Sequence, residues 1–230
     1  MKVGLIGDSL TEGRPGVSFF NILQSNYPTI TFINLGKPGE TMKSLHSRLT
    51  NTKLDTDYDL VFLWIGVNDY SKLLKVQAQP VAKDHQEFKE YFNLVLDMIT
   101  SFSRQVVVVS PAIVGENIKN PSNEELRELT SIMESSSKQS NVSFLNMNAI
   151  FEKKLATLHY SDYISTGIFR VMMDVLLYKK PKRIDRLSSK RGLHLTLDGI
   201  HLNSKGARIV AEEYSSIINR FLHNSMTTTQ

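Results

Sequence analysis

Short apolar runs alternate with amphipathic stretches along most of the chain, and this alternation predicts a parallel α/β fold. The runs with the length and composition of buried strands are Lys2–Ile6, Thr31–Asn34, Leu60–Ile65, Val106–Val109 and Val142–Leu145. The stretches with apolar residues at helical spacing are Ser18–Tyr27, the segment with Met42, Leu45 and Leu49, Asp84–Ser103, Ser122 to about Lys138, and Asn203–Leu222. Ser122 and Glu125 have the spacing of a capping box. Because strands joined by helices form right-handed crossovers, we expect a three-layer α/β/α sandwich around a five-stranded parallel sheet.

The length of 230 residues indicates one large domain. We expect it to cover residues 1–224, with an insertion at about 156–196 and a flexible tail at 225–230. The chain has no cysteine, which excludes disulfides, thiolate nucleophiles and cysteine-ligated zinc. No apolar run approaches the roughly 20 residues of a membrane-spanning helix, and no signal-peptide core is visible. We therefore expect a soluble cytoplasmic protein, with a secreted mature chain as the alternative.

The net charge of +4 is concentrated in one segment. Residues 179–191 carry seven Lys or Arg side chains and one acidic residue, Asp185. A solvated loop would explain this composition. An anionic substrate or an acidic membrane surface would explain it more specifically, whereas no nucleic-acid recognition motif accompanies the segment. We therefore expect no nucleic-acid partner.

Four polar segments lie at the ends of predicted elements. Gly7–Gly13 follows the first strand, Asn34–Thr41 ends the second, Gly66–Asp69 follows the third, and Asp198–Asn203 precedes the last helix. The carboxyl ends of parallel strands meet at one edge of the sheet, where ligands bind in such folds. We expect the loops at 7–13, 36–41 and 66–71, which follow the first three strands, to line that edge.

Three residues in these segments have the chemistry of a nucleophilic hydrolase. Ser9 offers a hydroxyl in a turn after a strand, and His201 is a candidate base because an imidazole titrates near ~6.5. Asp198 precedes His201 by three residues, so one turn could bring its carboxylate to the imidazole. A hydroxyl, a base and an orienting acid are what serine-dependent ester hydrolysis requires.

In their order and placement, the four segments resemble the four sequence blocks of the GDSL/SGNH hydrolases. The resemblance implies the SGNH-hydrolase fold with a flavodoxin-like strand order, and a serine-dependent carboxylester hydrolase that forms an acyl-enzyme without metal or organic cofactor. It assigns the oxyanion hole to the N–H of Ser9, the N–H of Gly39 and the side-chain amide of Asn68. Gly36 is the main alternative to Gly39 as the second backbone donor of the oxyanion hole. The family places the glycine before an Asp-Thr-like pair, which here is Glu40-Thr41.

Each candidate also has a structural interpretation. Ser9 could be a helix N-cap, Asn68 a turn residue, and His201 a partner for the start of the last helix, with Asn203 as its N-cap. We expect Asp8 to hold its loop by hydrogen bonds and Asp69 to be structural. The remaining histidines lack a comparable context and are expected on the surface or in packing: His46, His85, His159, His194 and His223.

The apolar stretch 160–178 bears on the substrate, a small-molecule ester. It could be a core helix, or a lid or wall over an acyl pocket. The second interpretation favours an acyl or lipid ester. A carbohydrate O-acetyl esterase and a non-catalytic binding protein that kept the fold are the alternatives.

Overall fold

The computed structural model describes residues 1–52, 56–69, 79–165 and 180–227. The strands of its sheet are β1 (Lys2–Gly7), β2 (Thr31–Gly36), β3 (Tyr58–Trp64), β4 (Ser103–Val109) and β5 (Val142–Leu145). All neighbouring strands are parallel, in the order β2-β1-β3-β4-β5. This confirms the predicted five-stranded parallel sheet and its flavodoxin-like order.

The helices in the described ranges are α1 (Ser9–Glu12), α2 (Phe19–Asn26), α3 (Met42–Asn51), α4 (His85–Ser101), α5 (Pro121–Ser136), α6 (Met147–Leu155), α7 (Pro181–Lys190) and α8 (Ser204–Thr227). A short 3-10 turn, Val67–Asp69, follows β3. Helices α2 and α7 contact α8, whereas α4 contacts α3 and α5. The helices therefore form two groups, as a sheet covered on both faces requires.

The core is centred on β3 and β4, whose central residues are inaccessible to solvent. Val106–Val109 are fully buried, as expected for an interior parallel strand. On one face, the ring of Tyr214 from α8 stacks on Phe62 of β3 with centroids 4.0 Å apart. Phe19 from α2 meets Tyr214 edge-on at 5.2 Å. These aromatic contacts fix the first and last long helices against the same part of the sheet.

Two predicted helix ends are wrong, for identifiable reasons. Helix α5 begins at Pro121 and is capped by Asn120, whose Oδ1 accepts from the N–H of Asn123 at 2.8 Å, so the predicted capping box of Ser122 and Glu125 does not form. Proline is favoured at the first helical position because its φ already suits a helix. Helix α8 continues to Thr227, past the predicted end at Leu222. Helical hydrogen bonding can propagate beyond the last apolar position.

The insertion before the last helix is only partly within the described ranges. The stretch 160–178, interpreted above as a core helix or as a lid or wall, lies outside them from residue 166 onward. Most of the basic segment forms the regular helix α7. The simplest interpretation given above, a solvated loop, is therefore wrong for this part of the chain. In the portion of the chain that is described, no helix combines the length and apolar character needed to cross a membrane.

Candidate active site

The predicted site residues meet at the carboxyl edge of the sheet. Ser9 is the first residue of α1, directly after β1. Gly39 lies between β2 and α3, Asn68 lies in the turn after β3, and His201 lies just before α8. Three of the segments therefore follow the neighbouring strands β2, β1 and β3 at the same edge of the sheet. The fourth segment lies at the start of α8.

Ser9, His201 and Asp198 form a continuous hydrogen-bonded chain. Ser9 Oγ lies 3.0 Å from His201 Nε2, and His201 Nδ1 lies 2.8 Å from Asp198 Oδ2. With the imidazole proton on Nδ1, His201 donates to Asp198 and accepts from the Ser9 hydroxyl. All three side chains are buried, Asp198 fully and Ser9 to all but 8% of its surface. The structure therefore brings together Ser9, His201 and Asp198, as the sequence predicted.

Asp198 also organises the backbone that carries His201. Its Oδ1 accepts from the N–H of Ile200 at 3.0 Å and of His201 at 2.8 Å. Burial on its own would raise the pKa of Asp198, but His201 and the backbone donors outweigh burial and hold that pKa below its ordinary value of 3.8. The carboxyl is therefore ionised near neutral pH and can orient and stabilise a protonated imidazole.

The backbone distinguishes Gly39 from Gly36. The N–H of Gly36 donates to Asn34 Oδ1 at 2.9 Å, and a Cβ on Gly36 would lie 2.2 Å from the backbone nitrogen of Glu12. Gly36 thus lets β2 approach the loop after Ser9. Gly39 has φ +73°, and a Cβ there would meet no atom within 4 Å. Within the described ranges, neither the N–H of Gly39 nor that of Ser9 has a hydrogen-bond acceptor.

The Asn68 amide is held by two donor contacts. Its Nδ2 donates to the carbonyl oxygen of Glu40 at 3.0 Å and to Asp8 Oδ2 at 3.3 Å. Glu40 is fully buried and forms a bidentate ion pair with Arg48 of α3. Burial raises the pKa of Glu40, and Arg48 partly offsets this effect. The Glu at position 40 therefore anchors the backbone that orients Asn68, a role that its spacing in the sequence did not indicate.

Asp8, not Ser9, caps the helix that follows β1. Asp8 Oδ1 accepts from the N–H of Leu10 at 2.9 Å, so the interpretation of Ser9 as N-cap is wrong and its hydroxyl is left to face His201. The expectation that Asp8 holds the loop by hydrogen bonds is confirmed. Burial raises the pKa of Asp8 to about 7, although the bond from Leu10 and the nearby His201 lower it. Asn203 caps α8 by accepting from the N–H of Lys205 and Gly206.

Asp69 has the structural role expected for it. Both carboxylate oxygens lie 3.0 Å from the N–H of Met42, at the start of α3. This contact joins the turn after β3 to the segment that contains Gly39. Burial raises the pKa of Asp69 to about 7, against an ordinary value of 3.8, and the Met42 bond opposes that rise.

The raised pKa of Asp69 predicts a pH-dependent effect of Asp69→Asn. Between pH 3.8 and about 7 the folded protein holds a proton that the unfolded chain releases, so its free energy of unfolding falls as pH rises through this window. Asn retains the acceptor for Met42 and does not titrate. We expect the free energy of unfolding of Asp69→Asn, relative to the unmodified protein, to increase by about 2 kcal/mol from pH 5 to pH 8.

Urea unfolding at several pH values measures this difference. Asp97→Asn, which removes an exposed carboxylate from α4, is the matched control. A constant difference between Asp69→Asn and the unmodified protein across the range would contradict a raised pKa at position 69.

Among the described residues, one group could offer three ligands to a metal ion: His85, Glu125 and Glu128. The two imidazole nitrogens face different carboxylates, with His85 Nε2 at 2.7 Å from Glu125 and Nδ1 at 3.5 Å from Glu128. The group joins α4 to α5 at the surface and contains no residue of the sheet edge. His85 therefore has a surface contact, as the sequence suggested.

A groove of about 890 Å³ flanks the Ser9 segment. Its walls come from the α1–α2 loop, from α2 and from the start of α7, and they include Arg14, Phe20 and Ile184. Gly16 in this wall approaches the site closely, because a Cβ there would lie 3.5 Å from His201 Cβ. The groove therefore lies next to the loop after α1, and Ser9, Asp198 and His201 are not among the residues that line it.

Solved structures with the same architecture include several esterases. An acetyl xylan esterase, AlAXEase, shares 19% identity with a TM-score of 0.67, covering 95% of this chain and 100% of that chain. A catalytic mutant of an acetylxylan esterase from Geobacillus stearothermophilus shares 19% identity with a TM-score of 0.66, covering 93% and 91%. A lipolytic G-D-S-L family protein from Veillonella parvula shares 13% identity with a TM-score of 0.65, covering 96% and 99%. At these identities the likeness shows the fold.

A family model settles the relationship more directly. Among curated proteins, none matches this sequence. The model described as GDSL-like lipase/acylhydrolase, however, matches residues 3–214, which include all four segments at the sheet edge. The resemblance inferred from those segments is thereby confirmed, and the chain belongs to the GDSL-like lipase/acylhydrolase family, whose members hydrolyse ester bonds.

Proposed function

We propose that Ser9 is the nucleophile of this ester hydrolase, His201 its general base and acid, and Asp198 the group that orients His201. The observation that supports this assignment is the chain of hydrogen bonds, 3.0 Å from Ser9 Oγ to His201 Nε2 and 2.8 Å from His201 Nδ1 to Asp198 Oδ2. Both distances allow direct proton transfer or donation. The order of the three residues along the chain is irrelevant, because a triad is defined by geometry.

The reaction proceeds in two half-reactions. Ser9 Oγ attacks the ester carbonyl carbon while His201 Nε2 takes the hydroxyl proton, and a tetrahedral intermediate forms. The intermediate collapses as the bond to the alcohol oxygen breaks, and His201 returns the proton to that oxygen. Water then attacks the acyl-enzyme with His201 again as base. The carboxylic acid leaves and the Ser9 hydroxyl is regenerated.

The oxyanion of each intermediate is held by the N–H groups of Ser9 and Gly39 and by the Asn68 amide. Within the described ranges the N–H of Gly39 has no acceptor, whereas that of Gly36 donates to Asn34, and this difference supports Gly39 as the second donor. Asn68 keeps its 3.0 Å bond to the Glu40 carbonyl, while the longer 3.3 Å contact with Asp8 is the one that an oxyanion replaces. Each such donor contributes on the order of a hundredfold or more to kcat.

The substrate is a carboxylester of acyl or lipid type. The apolar composition of the 160–178 stretch supports an extended acyl group. The second candidate is a carbohydrate O-acetyl ester. Its support is that acetyl xylan esterases have the same fold. No metal or organic cofactor takes part in this mechanism.

Two measurements test the proposed chemistry and distinguish the substrates. A fluorophosphonate probe is expected to form one covalent adduct that peptide mass spectrometry assigns to Ser9. An ester panel of aryl esters with two to twelve acyl carbons and an acetylated xylo-oligosaccharide then compares kcat/KM. A preference for longer acyl chains supports the first substrate, and a preference for the acetylated sugar supports the second. Absence of a Ser9 adduct would refute the assignment of Ser9 as the nucleophile.

The basic helix α7 supports a further proposal, that the enzyme docks on an anionic lipid surface. Its exposed cations Lys182, Arg183, Arg186 and Lys190 lie within an arc of about 100°, since successive residues turn by about 100°. Within the described ranges none of these four side chains forms an ion pair. Ile184 and Ser188 are buried on the opposite side of the helix. Each surface cation contributes about 1 kcal/mol near an anionic leaflet.

Vesicle co-sedimentation tests this docking. Binding to vesicles with one third anionic phospholipid is expected to fall at least tenfold between 50 and 300 mM salt. Lys182→Glu with Arg186→Glu should abolish it, whereas Lys153→Glu with Lys154→Glu on α6 should reduce it only slightly. Equal loss in both double variants, or salt-insensitive binding, would contradict docking through α7. Saturable binding of a soluble anionic ester without vesicle binding would assign the helix to substrate recognition instead.

A further inference from the structure

A buried carboxylate that the sequence patterns did not indicate, Glu116, lies in the loop between β4 and α5. Only 1% of its surface is exposed. Its Oε1 accepts from the N–H of Leu195, the N–H of Thr196 and the hydroxyl of Thr196, each at 2.8 Å, and its Oε2 accepts from the N–H of His194 at 2.6 Å. No cationic side chain among the described residues forms an ion pair with it. Four donors from one short segment therefore satisfy a buried charge.

The segment that Glu116 holds leads directly to Asp198. A bridge between Thr196 and Leu202 closes the turn that contains Asp198 and His201, and the N–H of Leu197 donates to the carbonyl of His201 at 2.6 Å. On the far side of Asp198, the carbonyl of Gly199 accepts from the N–H of Gly115 at 2.6 Å. Gly115 and Glu116, two successive residues of the β4–α5 loop, therefore form hydrogen bonds to the chain after and before Asp198, respectively.

The donors require an acid at position 116. A carboxylate has two acceptor oxygens and no donor, which matches four donors from the facing segment. A glutamine would place an NH₂ group against one of them, and an apolar side chain would leave all four donors unsatisfied in a buried environment. The requirement is therefore for two acceptor oxygens as well as for size.

We propose that Glu116 is a positioning residue that sets the distance between His201 and Ser9 through its hydrogen bonds to residues 194–196. The proposal rests on the proposed function of Ser9, His201 and Asp198. Catalysis by a triad is sensitive to displacements of about 1 Å. The bonds from Glu116 attach residues 194–196, which precede the turn with Asp198 and His201, to the loop that follows β4. Glu116 does not contact the reacting atoms and acts only through the turn.

Kinetics of Glu116→Gln test the positioning role. We expect kcat for a short-chain aryl ester to fall by ten- to a hundredfold with KM within twofold of the unmodified protein, and the rate of Ser9 labelling to fall in parallel. Glu116→Asp, which restores both acceptor oxygens on a shorter side chain, should recover part of kcat. Met133→Ala is the matched control, because it removes a buried side chain from α5 and lowers the melting temperature without touching the turn.

Amide hydrogen exchange gives a readout that does not depend on activity. Faster exchange in peptides covering 194–202 is expected in Glu116→Gln but not in Met133→Ala. If Glu116→Gln does not fold, Thr196→Val removes a single donor and should reduce kcat severalfold. Unchanged kcat and labelling in a folded variant would overturn the proposal. Failure of the proposed function would look different, since the unmodified protein would then lack Ser9 labelling while exchange at 194–202 would still respond to Glu116→Gln.

Discussion

Replacing Ser9 with alanine is expected to lower kcat/KM for a short-chain aryl ester by about a thousandfold or more. The variant keeps the N–H of residue 9 and the rest of the proposed oxyanion hole, but it loses the oxygen that lies 3.0 Å from His201 Nε2. Without that oxygen no acyl-enzyme can form, and only the slower attack of water on the bound ester remains. Binding of the substrate should change little, so the loss should appear in kcat.

The measurement is initial-rate kinetics with the fluorophosphonate probe as a parallel assay. Ser131→Ala, an exposed serine on α5, is the matched control and should retain full activity and labelling. Ser9→Ala should retain only the residual, about thousandfold slower turnover and should form no adduct, while its thermal unfolding should match the unmodified protein within a few degrees. Retained hydrolysis in a folded Ser9→Ala variant would mean that another group attacks the ester.

Replacing Asp198 with asparagine should lower kcat by about a thousandfold at neutral pH, the second largest effect that we expect. Asparagine can still accept from the N–H of Ile200 and His201 through Oδ1, so the turn keeps its shape. Its amide NH₂, however, faces His201 Nδ1 in place of the acceptor Oδ2. The imidazole must then carry its proton on Nε2, where it cannot accept from Ser9. The asparagine variant therefore separates the charge of Asp198 from its structural bonds.

Asp198→Ala is the informative companion to this variant. It removes the bonds to the backbone as well as the charge, so it should reduce both kcat and the melting temperature, whereas Asp198→Asn should reduce kcat alone. Both variants should label more slowly at Ser9 than the unmodified protein. If Asp198→Asn retained more than a tenth of kcat, the carboxylate would not be the group that orients His201.

Much of the architecture followed from local pattern. Val106–Val109 indicates an interior strand because a parallel strand is apolar on both faces, and it is fully buried in β4. The repeated order of strand and amphipathic stretch is enough to predict crossovers and a parallel sheet. Helix α7 was not predicted because its exposed face is almost entirely basic and only Ile184 and Ser188 are buried, so no apolar period marks it.

Helix ends and glycine roles were harder to predict. Several residues near a helix start can serve as the cap, and the backbone conformation selects among them. Asp8 rather than Ser9 caps α1, and Asn120 rather than Ser122 caps α5. Likewise the sequence favours Gly39 over Gly36 only through the Glu40-Thr41 pair that follows it, whereas the contact of Gly36 with Glu12 arises only when β2 lies beside β1.

The sequence by itself determined the fold class and the residue types of the site, because strand patterns and the four polar segments are local features. Tertiary structure decided which groups support that chemistry. The carbonyl of Glu40 meets Asn68, and the carboxylate of Glu116 meets residues 194–196, across separations of 28 and up to 80 positions. A lone buried acid has no local pattern to reveal it. Its role depends on donors that only the folded chain brings within hydrogen-bonding distance, and burial makes leaving those donors unpaired costly.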